Sequence, residues 1–210
     1  GYTAVKLKVG HHTLEEEVKR VKATREAIGD AMLMLDMNAC YDLNECIHFA
    51  KAVEPFNLTW LEEPLHWYLQ PADFAKLAES TSIPIAHGER LFDRFTARDF
   101  IENGGIKFIQ FDSTRHSGFT EHLRIAHMAE QNGIFIAPHL APEMHGHLVS
   151  AFPRAGFIAE SHGDPDRNPL WHGGLFAKKA EIKDGYLHLN KSAGFGYDID
   201  WNFVAKYRVN

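Results

Sequence analysis

The sequence predicts an α/β protein, a parallel β/α barrel of the TIM type, on two observations. First, short apolar segments alternate with amphipathic helical segments, as strands and helices do around a parallel sheet. Second, Asp36, Glu62 and Glu89 close successive predicted strands at nearly equal intervals. A strand–helix–strand unit of that length returns the chain to the same end of the sheet, so the three carboxylates are expected at one mouth of the barrel.

Seven strands and six intervening helices are predicted. The strands are apolar on both faces, as buried parallel strands are, and comprise residues 2–9, Met32–Asp36, 58–61, 83–86, 106–111, 134–138 and 157–160. The helices comprise Leu14–Ile28, Leu43–Val53, 71–79, 96–103, 120–132 and 142–152. Helix-end signals support these bounds, for example the capping box of Thr13 and Glu16 and the terminating Gly104 and Gly133. Six helices between strands of one continuous sheet favour a barrel over an open sheet.

The character of the chain changes after Glu160. Residues 162–174 are rich in Pro and Gly and are predicted to form a loop. Residues 180–189 are predicted to form a β-hairpin that turns at Asp184 and Gly185. We therefore expect a barrel over residues 1–175 and a hairpin with a tail over residues 176–210.

The composition is that of a soluble globular domain, with 45% hydrophobic and 24% charged residues. A net charge of −6 without any basic run argues against a nucleic-acid partner. The longest apolar runs have strand length, so neither a transmembrane helix nor a membrane partner is expected. Cys40 and Cys46 are interpreted as structural thiols of a reducing compartment, which predicts a cytoplasmic protein.

A metal site is predicted where the three strand-end carboxylates converge. Three carboxylates would repel one another unless a cation lay between them. Ligand sets made only of oxygen favour hard divalent ions. Asp36, Glu62 and Glu89 are therefore predicted to bind Mg²⁺, with Mn²⁺ as the next candidate.

Two lysines close the first predicted strand. Lys6 and Lys8 are alternate residues, so both side chains face the same mouth. A desolvated lysine beside another cation has a lowered pKa and can act as a base. The alternative is an edge strand that carries lysines against aggregation. The carboxylates expected opposite make the catalytic interpretation the favoured one.

An aspartate and a histidine close the fifth and sixth predicted strands. An aspartate that accepts the proton of one imidazole nitrogen orients the ring and raises its basicity. Asp112 and His139 lie on neighbouring strands, so His139 is predicted to be a base held by Asp112. Glu160 closes the seventh strand and is interpreted as a protonated acid that hydrogen-bonds a developing negative oxygen. Its alternative is a solvent-exposed loop residue.

Several polar residues near the same strand ends are candidates for substrate binding. Asn38 shares the face of Asp36. Arg115 follows Asp112. His87 precedes Glu89 by two positions and either lines the site or fills the barrel. Tyr41 and His116 are further candidates for the pocket. Glu63, next to Glu62, is interpreted as a surface or supporting carboxylate.

The predicted arrangement has lysines on one side, the His–Asp pair on the other and a metal between them. It suits removal of the proton α to a carboxylate. The proton on the carbon α to a carboxylate is only weakly acidic, so the enediolate that forms has to be stabilised by the metal and by Lys6.

The motifs that carry these residues resemble a known family. VKLKVG, LDMN, WLEEP, HGE, FD, PH and the stretch HLAPEMHGHL follow one another in the order and spacing of the mandelate racemase subgroup of the enolase superfamily. That superfamily uses a Lys or His base with Mg²⁺. The resemblance implies Mg²⁺ at the three carboxylates, Lys8 and His139 as bases, Lys6 near the substrate carboxylate and Glu160 as the acid opposite.

The resemblance implies a lyase. The subgroup contains racemases and many acid-sugar dehydratases, and the polar pocket candidates suit a polyhydroxylated substrate. We expect dehydration of a sugar acid to a 2-keto-3-deoxy acid. The alternatives are a racemase or epimerase of a 2-hydroxy acid, a non-catalytic barrel fragment or binding protein, and a metal-dependent aldolase-type barrel. Arg115 stands on a strand where other subgroups need a lysine base, which argues against a muconate-cycloisomerase or dipeptide-epimerase site.

The resemblance also implies parts outside these residues. Family members have a (β/α)7β barrel whose first strand, together with an N-terminal α+β capping domain, has no counterpart here. We expect either a fragment of a longer product or a second chain that completes it. The hairpin is expected to pack on the capping domain. Family members are commonly dimers or octamers, so a homo-oligomer that takes a small carboxylate substrate is expected.

Overall fold

The computed structural model describes residues 2–115, 117–161, 175–178 and 180–209. Six strands form one parallel sheet in chain order. They are β1 (Ala4–Lys8), β2 (Met32–Asp36), β3 (Trp60–Glu62), β4 (Ile85–His87), β5 (Phe108–Ile109) and β6 (Phe135–Ile136). Helices follow the strands in alternation and are α1 (Leu14–Ile28), α2 (Leu43–Val53), α3 (Pro71–Ser80), α4 (Arg94–Asn103), α5 (Gly118–Gln131) and α6 (Pro142–Ala151). The predicted parallel α/β class is confirmed.

Local signals explain why the helices lie where they were expected. Thr13 and Asp42 open α1 and α2 with full capping boxes, and Asp93 accepts backbone N–H groups at the start of α4. Pro71 occupies the first turn of α3, where its missing N–H costs nothing. Each predicted helix and each of the first six predicted strands agrees with the structure to within two residues at either end.

The predicted seventh strand, residues 157–160, is wrong. In the structure this segment makes a single parallel bridge with β6, between Ile136 and Gly156. Two backbone hydrogen bonds hold it there, from Ile136 N–H to Ala155 and from Phe157 N–H to Ile136. An apolar pattern alone predicts a strand, but a strand also needs a continuous ladder to a neighbour, and this segment is paired only at its start.

Strand residues alternate between two apolar layers. Inward-facing Met34, Trp60, Ala86, Phe108 and Ala137 form a cluster of their own. The Phe108 ring lies 4.9 Å from the ring of Phe157, which follows β6, so the sheet curves around this cluster as a barrel wall does.

The larger cluster lies between the strands and the helices. It contains the alternate strand residues Leu33, Leu35, Leu61, Ile85 and Ile109 together with buried helix residues. This double burial holds the strand ends, and therefore the polar residues at one mouth, in a rigid frame.

The predicted hairpin is confirmed as β7 (Glu181–Lys183) and β8 (Tyr186–His188). Asp184 and Gly185 form the turn with φ of 53° and 81°, which the Asp-Gly pair tolerates. Leu187 packs on Gly146 of α6, where a Cβ atom would collide with it. The chain then continues to a short helix, α7 (Trp201–Lys206). Packing of the hairpin on a capping domain stays a prediction.

The loop predicted at residues 162–174 lies outside the described residues. Within the described ranges, none of the helices combines the length and apolar character required to cross a lipid bilayer.

Candidate active site

Three buried carboxylates meet at the mouth of the barrel. Asp36 and Glu62 are the last residues of β2 and β3 and lie side by side in register. Glu89 joins them from the turn after β4, and one oxygen from each residue lies within 4.8 Å of the others. Burial raises the pKa of Glu62 to about 8, Lys6 opposes that rise, and Asp36 adds to it. A buried all-oxygen set with excess negative charge fits a hard divalent cation.

Gly88 determines which side chain of the β4 end enters this site. Its φ of +137° reverses the strand alternation directly after His87, so Glu89 faces inward. The His87 ring lies instead 4.5 Å from Phe74 and 4.4 Å from Phe100, among the helices. The prediction of His87 as a substrate-binding residue is therefore wrong, because the period of two that suggested it ends with the strand.

Glu63 supports the site from behind. It is fully buried, and its Oε1 accepts the Gly88 N–H at 2.9 Å while its Oε2 accepts the Trp67 indole N–H at 2.9 Å. His87 Nδ1 lies 2.9 Å from Oε1 as well. Burial would raise the pKa of Glu63, but these partners lower it, so Glu63 is an ionised internal carboxylate and not a surface charge. It ties the turn after β4 to the loop after β3.

Lys6 is a fixed positive charge among the carboxylates. Its Nζ lies 2.5 Å from Glu62 Oε1, 2.6 Å from Glu160 Oε1 and 3.5 Å from Asp36 Oδ2. Burial favours the neutral amine, but the three carboxylates outweigh it and raise the pKa of Lys6 far above its usual range. Lys6 therefore stays protonated and suits charge stabilisation better than proton abstraction.

Lys8 occupies the outer position of the same strand face. Its Nζ lies 2.5 Å from Asp36 Oδ2 and 2.6 Å from Asn38 Oδ1. More than half of the side chain is exposed to the pocket mouth, in contrast to Lys6. The two lysines thus have distinct surroundings despite their shared face.

Asp112 and His139 form the predicted pair. Nδ1 of His139 lies 2.8 Å from Asp112 Oδ2, and Thr114 donates its N–H and hydroxyl to the other carboxylate oxygen. Burial would raise the pKa of Asp112, yet these hydrogen bonds hold it well below its usual range. An ionised Asp112 places the proton on Nδ1 and leaves Nε2 of His139 as the basic nitrogen. Nε2 lies 3.4 Å from Glu89 Oε2 and so faces the carboxylates.

Glu160 lies in the site, but as an acceptor. Its Oε1 pairs with Lys6 at 2.6 Å, and its Oε2 accepts the Leu140 N–H at 3.0 Å. Burial would raise the pKa of Glu160, but Lys6 and His139 lower it. The expectation of a protonated acid is therefore not met in this structure, because the neighbouring ammonium stabilises the carboxylate.

One cavity of about 690 Å³ connects these groups. Its walls include most of the predicted site residues: Lys6, Lys8, Asn38, Glu89, Arg115, His139 and Glu160. Arg115 donates to Glu89 Oε1 at 2.9 Å. Tyr41 instead stacks on Phe49 of α2 at 5.3 Å, and His116 lies outside the described residues.

The cavity also has wall residues that the sequence reasoning missed. Gln110 is buried and precedes Asp112 by two positions, a spacing that could have identified it. Arg90 lies 3.7 Å above the Trp67 ring at the rim, and both residues line the cavity. This contact joins two loops that are separate in the sequence, so no sequence pattern predicts it.

Known proteins resemble the chain over nearly all of its length. It is 34% identical over 200 residues to L-talarate/galactarate dehydratase of Salmonella typhimurium, which covers 95% of this chain and 48% of that protein. It is 29% identical to 3,6-anhydro-alpha-L-galactonate cycloisomerase of Streptomyces coelicolor, over 100% of this chain and 56% of that protein. The crystal structure of L-talarate dehydratase from Polaromonas sp. JS666, complexed with Mg and L-glucarate, superposes with a TM-score of 0.87 at 34% identity, covering 98% of this chain and 55% of that one.

The chain spans about half the length of these relatives. The family model described as enolase C-terminal domain-like matches residues 1–203. With that match and with the barrel-mouth carboxylates in place, the chain belongs to the enolase C-terminal domain-like family, whose matched relatives include proteins named as acid-sugar dehydratases and as mandelate racemase/muconate lactonizing enzymes.

Proposed function

We propose that the protein abstracts the proton α to a carboxylate with the help of Mg²⁺, and that it dehydrates a sugar acid to a 2-keto-3-deoxy acid. One observation carries the proposal. Lys8 approaches the cavity from β1 and His139 from the loop after β6, while the three carboxylates of the intervening strands lie between them. Two bases flanking a cation site suit removal of a proton from C2 and protonation of a leaving hydroxyl.

Asp36, Glu62 and Glu89 would hold the cation, which supplies positive charge to the substrate carboxylate when bound. Lys6 adds a permanent positive charge to the same region, because its three carboxylate partners keep it protonated. Glu160 holds Lys6 in place and accepts the Leu140 N–H. Glu160 is thus a positioning group in this proposal.

Dehydration needs a base and an acid. One of Lys8 and His139 removes the C2 proton, and the electron pair of that C–H bond forms the C2–C3 double bond. The C3 hydroxyl takes a proton from the other group and leaves as water. The resulting enol tautomerises to the 2-keto-3-deoxy acid. Asp112 keeps the acceptor nitrogen of His139 towards the substrate.

The names of the relatives support a sugar acid. Relatives are named for talarate, galactarate, galactonate and arabinonate, and a neighbouring structure contains Mg and L-glucarate. Asn38 and Arg115 line the cavity and offer polar groups to substrate hydroxyls. A racemase or epimerase of a 2-hydroxy acid is the second candidate, because bases on both sides of C2 suit proton removal and return.

The decisive experiment uses the natural polypeptide at its full length. It is incubated with Mg²⁺ in D₂O with a panel of aldonic and aldaric acids, and proton NMR follows each acid. We expect a new C3 methylene pattern with at least one acid. Lys8→Ala and His139→Asn should abolish it, whereas His147→Asn, a histidine of α6 outside the cavity walls, should keep it.

Other outcomes would reject dehydration in specific ways. Deuterium entering C2 without loss of water would indicate the racemase or epimerase. Carbon–carbon cleavage products would indicate an aldolase. Bound Mg²⁺ without any change in any acid would indicate a non-catalytic barrel.

Location and assembly are separate parts of the proposal. We propose a cytoplasmic homo-oligomer whose hairpin packs on a capping domain. Tyr186 in β8 is 73% exposed and offers an aromatic contact for such a domain. Light scattering on the full-length polypeptide measures its oligomeric state. Tyr186→Glu should weaken the contact between the hairpin and the capping domain.

A further inference from the structure

The turn that follows His139 has a strained backbone. Leu140 and Ala141 both have positive φ, 54° and 44°. Residues with a Cβ rarely adopt that region, and each such residue destabilises the backbone. Two in succession persist only where neighbouring groups hold them. The direction of the His139 ring depends on this turn, because His139 is the residue immediately before it.

His145 holds that turn from the first half of α6. Its ring is fully buried, and its Nδ1 lies 2.8 Å from the carbonyl oxygen of Leu140. A carbonyl only accepts, so Nδ1 carries the proton and donates it. The second hold on the turn is the Leu140 N–H, which donates to Glu160. Both backbone polar groups of Leu140 are thereby used.

The other ring nitrogen of His145 holds the loop after β5. Nε2 lies 2.7 Å from Ser113 Oγ and accepts the Ser113 N–H at 3.2 Å. Since Nδ1 is the protonated nitrogen, the Ser113 hydroxyl also donates to Nε2. Burial lowers the pKa of His145, which agrees with a neutral ring.

The two hydrogen-bond partners of His145 are next to the two members of the catalytic pair, and its Nε2 also lies 3.9 Å from Asp112 Oδ1. Ser113 follows Asp112, and Leu140 follows His139. We propose that His145 is a positioning residue that locks the loop after β5 to the loop after β6 and so sets the Asp112–His139 hydrogen bond. This inference rests on the proposed function only in taking His139 as a base.

An apolar residue at this position would fill the space of the His145 ring but would make none of its hydrogen bonds. The Leu140 carbonyl and the Ser113 N–H would lose their partners, and buried unpaired groups of this kind are costly. The ring of His122 packs edge-on against the ring of His145, with the two ring centroids 5.1 Å apart. The other histidine of α6, His147, lies 2.9 Å from the Phe195 carbonyl instead.

Each half of the contact can be removed separately in the full-length polypeptide. His145→Asn keeps a donor near the Leu140 carbonyl, and His145→Gln keeps an acceptor near Ser113. His145→Leu removes both, and Ser113→Ala removes the hydroxyl from the opposite side. His147→Asn is the matched control on the same helix.

The first readout needs neither metal nor substrate. The ¹⁵N shifts of the His139 ring report which nitrogen carries the proton. We expect the Nδ1-protonated form in the wild type and in His147→Asn. A mixture of tautomers is expected in His145→Leu, with smaller changes in the same direction in Ser113→Ala, His145→Asn and His145→Gln.

The second readout is turnover of the sugar acid. Residues that orient a catalytic group through a hydrogen bond are worth roughly 10–100-fold, so His145→Leu should lower kcat by that factor with little change in KM. The His145→Asn and His145→Gln variants should each retain part of the kcat that His145→Leu loses. The losses of kcat in Ser113→Ala and His145→Leu should be less than additive in the double variant, because both substitutions break the same hydrogen bond.

Two results would overturn the proposal. One is an unchanged His139 tautomer in both His145→Gln and Ser113→Ala, which remain informative even where His145→Leu does not fold. The other is an equal loss of kcat in Asn, Gln and Leu variants, which would indicate a packing role alone. A shifted tautomer in a protein that turns over no acid would leave this inference standing and reject the proposed function instead.

Discussion

Nζ of Lys6 lies 2.5 Å from Oε1 of Glu62, so a permanent ammonium contacts one of the three carboxylates that form the cation site. Lys6 and a divalent cation therefore compete for the same negative charge. We expect Lys6→Met to bind Mg²⁺ about tenfold more tightly, because removal of one nearby positive charge is worth about 1.4 kcal/mol. Turnover should nevertheless fall, since the charge beside the substrate carboxylate is lost.

Calorimetric titration of the full-length polypeptide with Mg²⁺ at about pH 9, above the pKa of about 8 of Glu62, measures that affinity. Lys19→Met is the control, because Lys19 pairs only with the exposed Glu15 in the described structure. An affinity that falls in Lys6→Met would mean that Lys6 organises the carboxylates instead of competing with the cation.

Proton release accompanies Mg²⁺ binding in our second prediction. Burial raises the pKa of Glu62 to about 8, so below that pH the metal-free carboxyl is largely protonated. A cation needs the carboxylate form and must displace the proton. Affinity should rise as the pH increases towards about 8 and then level off. Titrations in buffers of different ionisation enthalpy should show close to one proton released near neutral pH and far less at about pH 9. Equal release at both would contradict the assignment.

Gly88 should be indispensable for the metal site. A Cβ on Gly88 would lie 3.0 Å from Gln110 N and 3.0 Å from Ile109 Cδ1, and the φ of +137° would itself be strained. Gly88→Ala should lower Mg²⁺ affinity by roughly 10–100-fold, because Glu89 would turn away from the other carboxylates. Calorimetry measures the affinity.

Gly133→Ala is the matched control for that substitution. Gly133 also has a positive φ, but a Cβ there would meet nothing within 4 Å. It should lose some stability and retain the Mg²⁺ affinity. Equal losses of affinity in both variants would show that backbone strain in general, and not the direction of Glu89, is responsible.

Glu17 should make stability depend on pH. Its buried carboxylate accepts the N–H groups of Gly10 and His11 and pairs with Arg20. Burial would raise its pKa, but these partners lower it. A group with a lowered folded-state pKa stabilises fully above its unfolded pKa of about 4.3 and loses that contribution as the pH falls through the folded value.

Glu17→Gln should therefore destabilise the fold by about 1–3 kcal/mol near neutral pH, because Gly10, His11 and Arg20 lose the charged acceptor of their hydrogen bonds. The difference from wild type should shrink as the pH falls below about 4. Urea unfolding at several pH values measures it. Glu15→Gln, on an exposed part of α1, should differ little from wild type at every pH. A constant difference for Glu17→Gln would refute the linkage.

Sequence periodicity was sufficient for the frame of this protein. Helix bounds such as Leu14–Ile28 and strand bounds such as Met32–Asp36 agree with the structure because capping and alternation are local properties. The convergence of Asp36 and Glu62 was also predictable, since parallel strands bring their carboxyl ends to one edge. Asp112 and His139 followed from the same rule.

Tertiary structure alone decided what each polar side chain does there. His87 and Glu89 lie on opposite sides of the sheet because one glycine ends the alternation. Glu160 is ionised because Lys6, remote in sequence, lies against it. The role of His145 depends on two loops that meet only in the fold. The physical reason is common to all three: charge state and hydrogen bonding are set by neighbours in space, whereas periodicity records only which face of its own element a residue occupies.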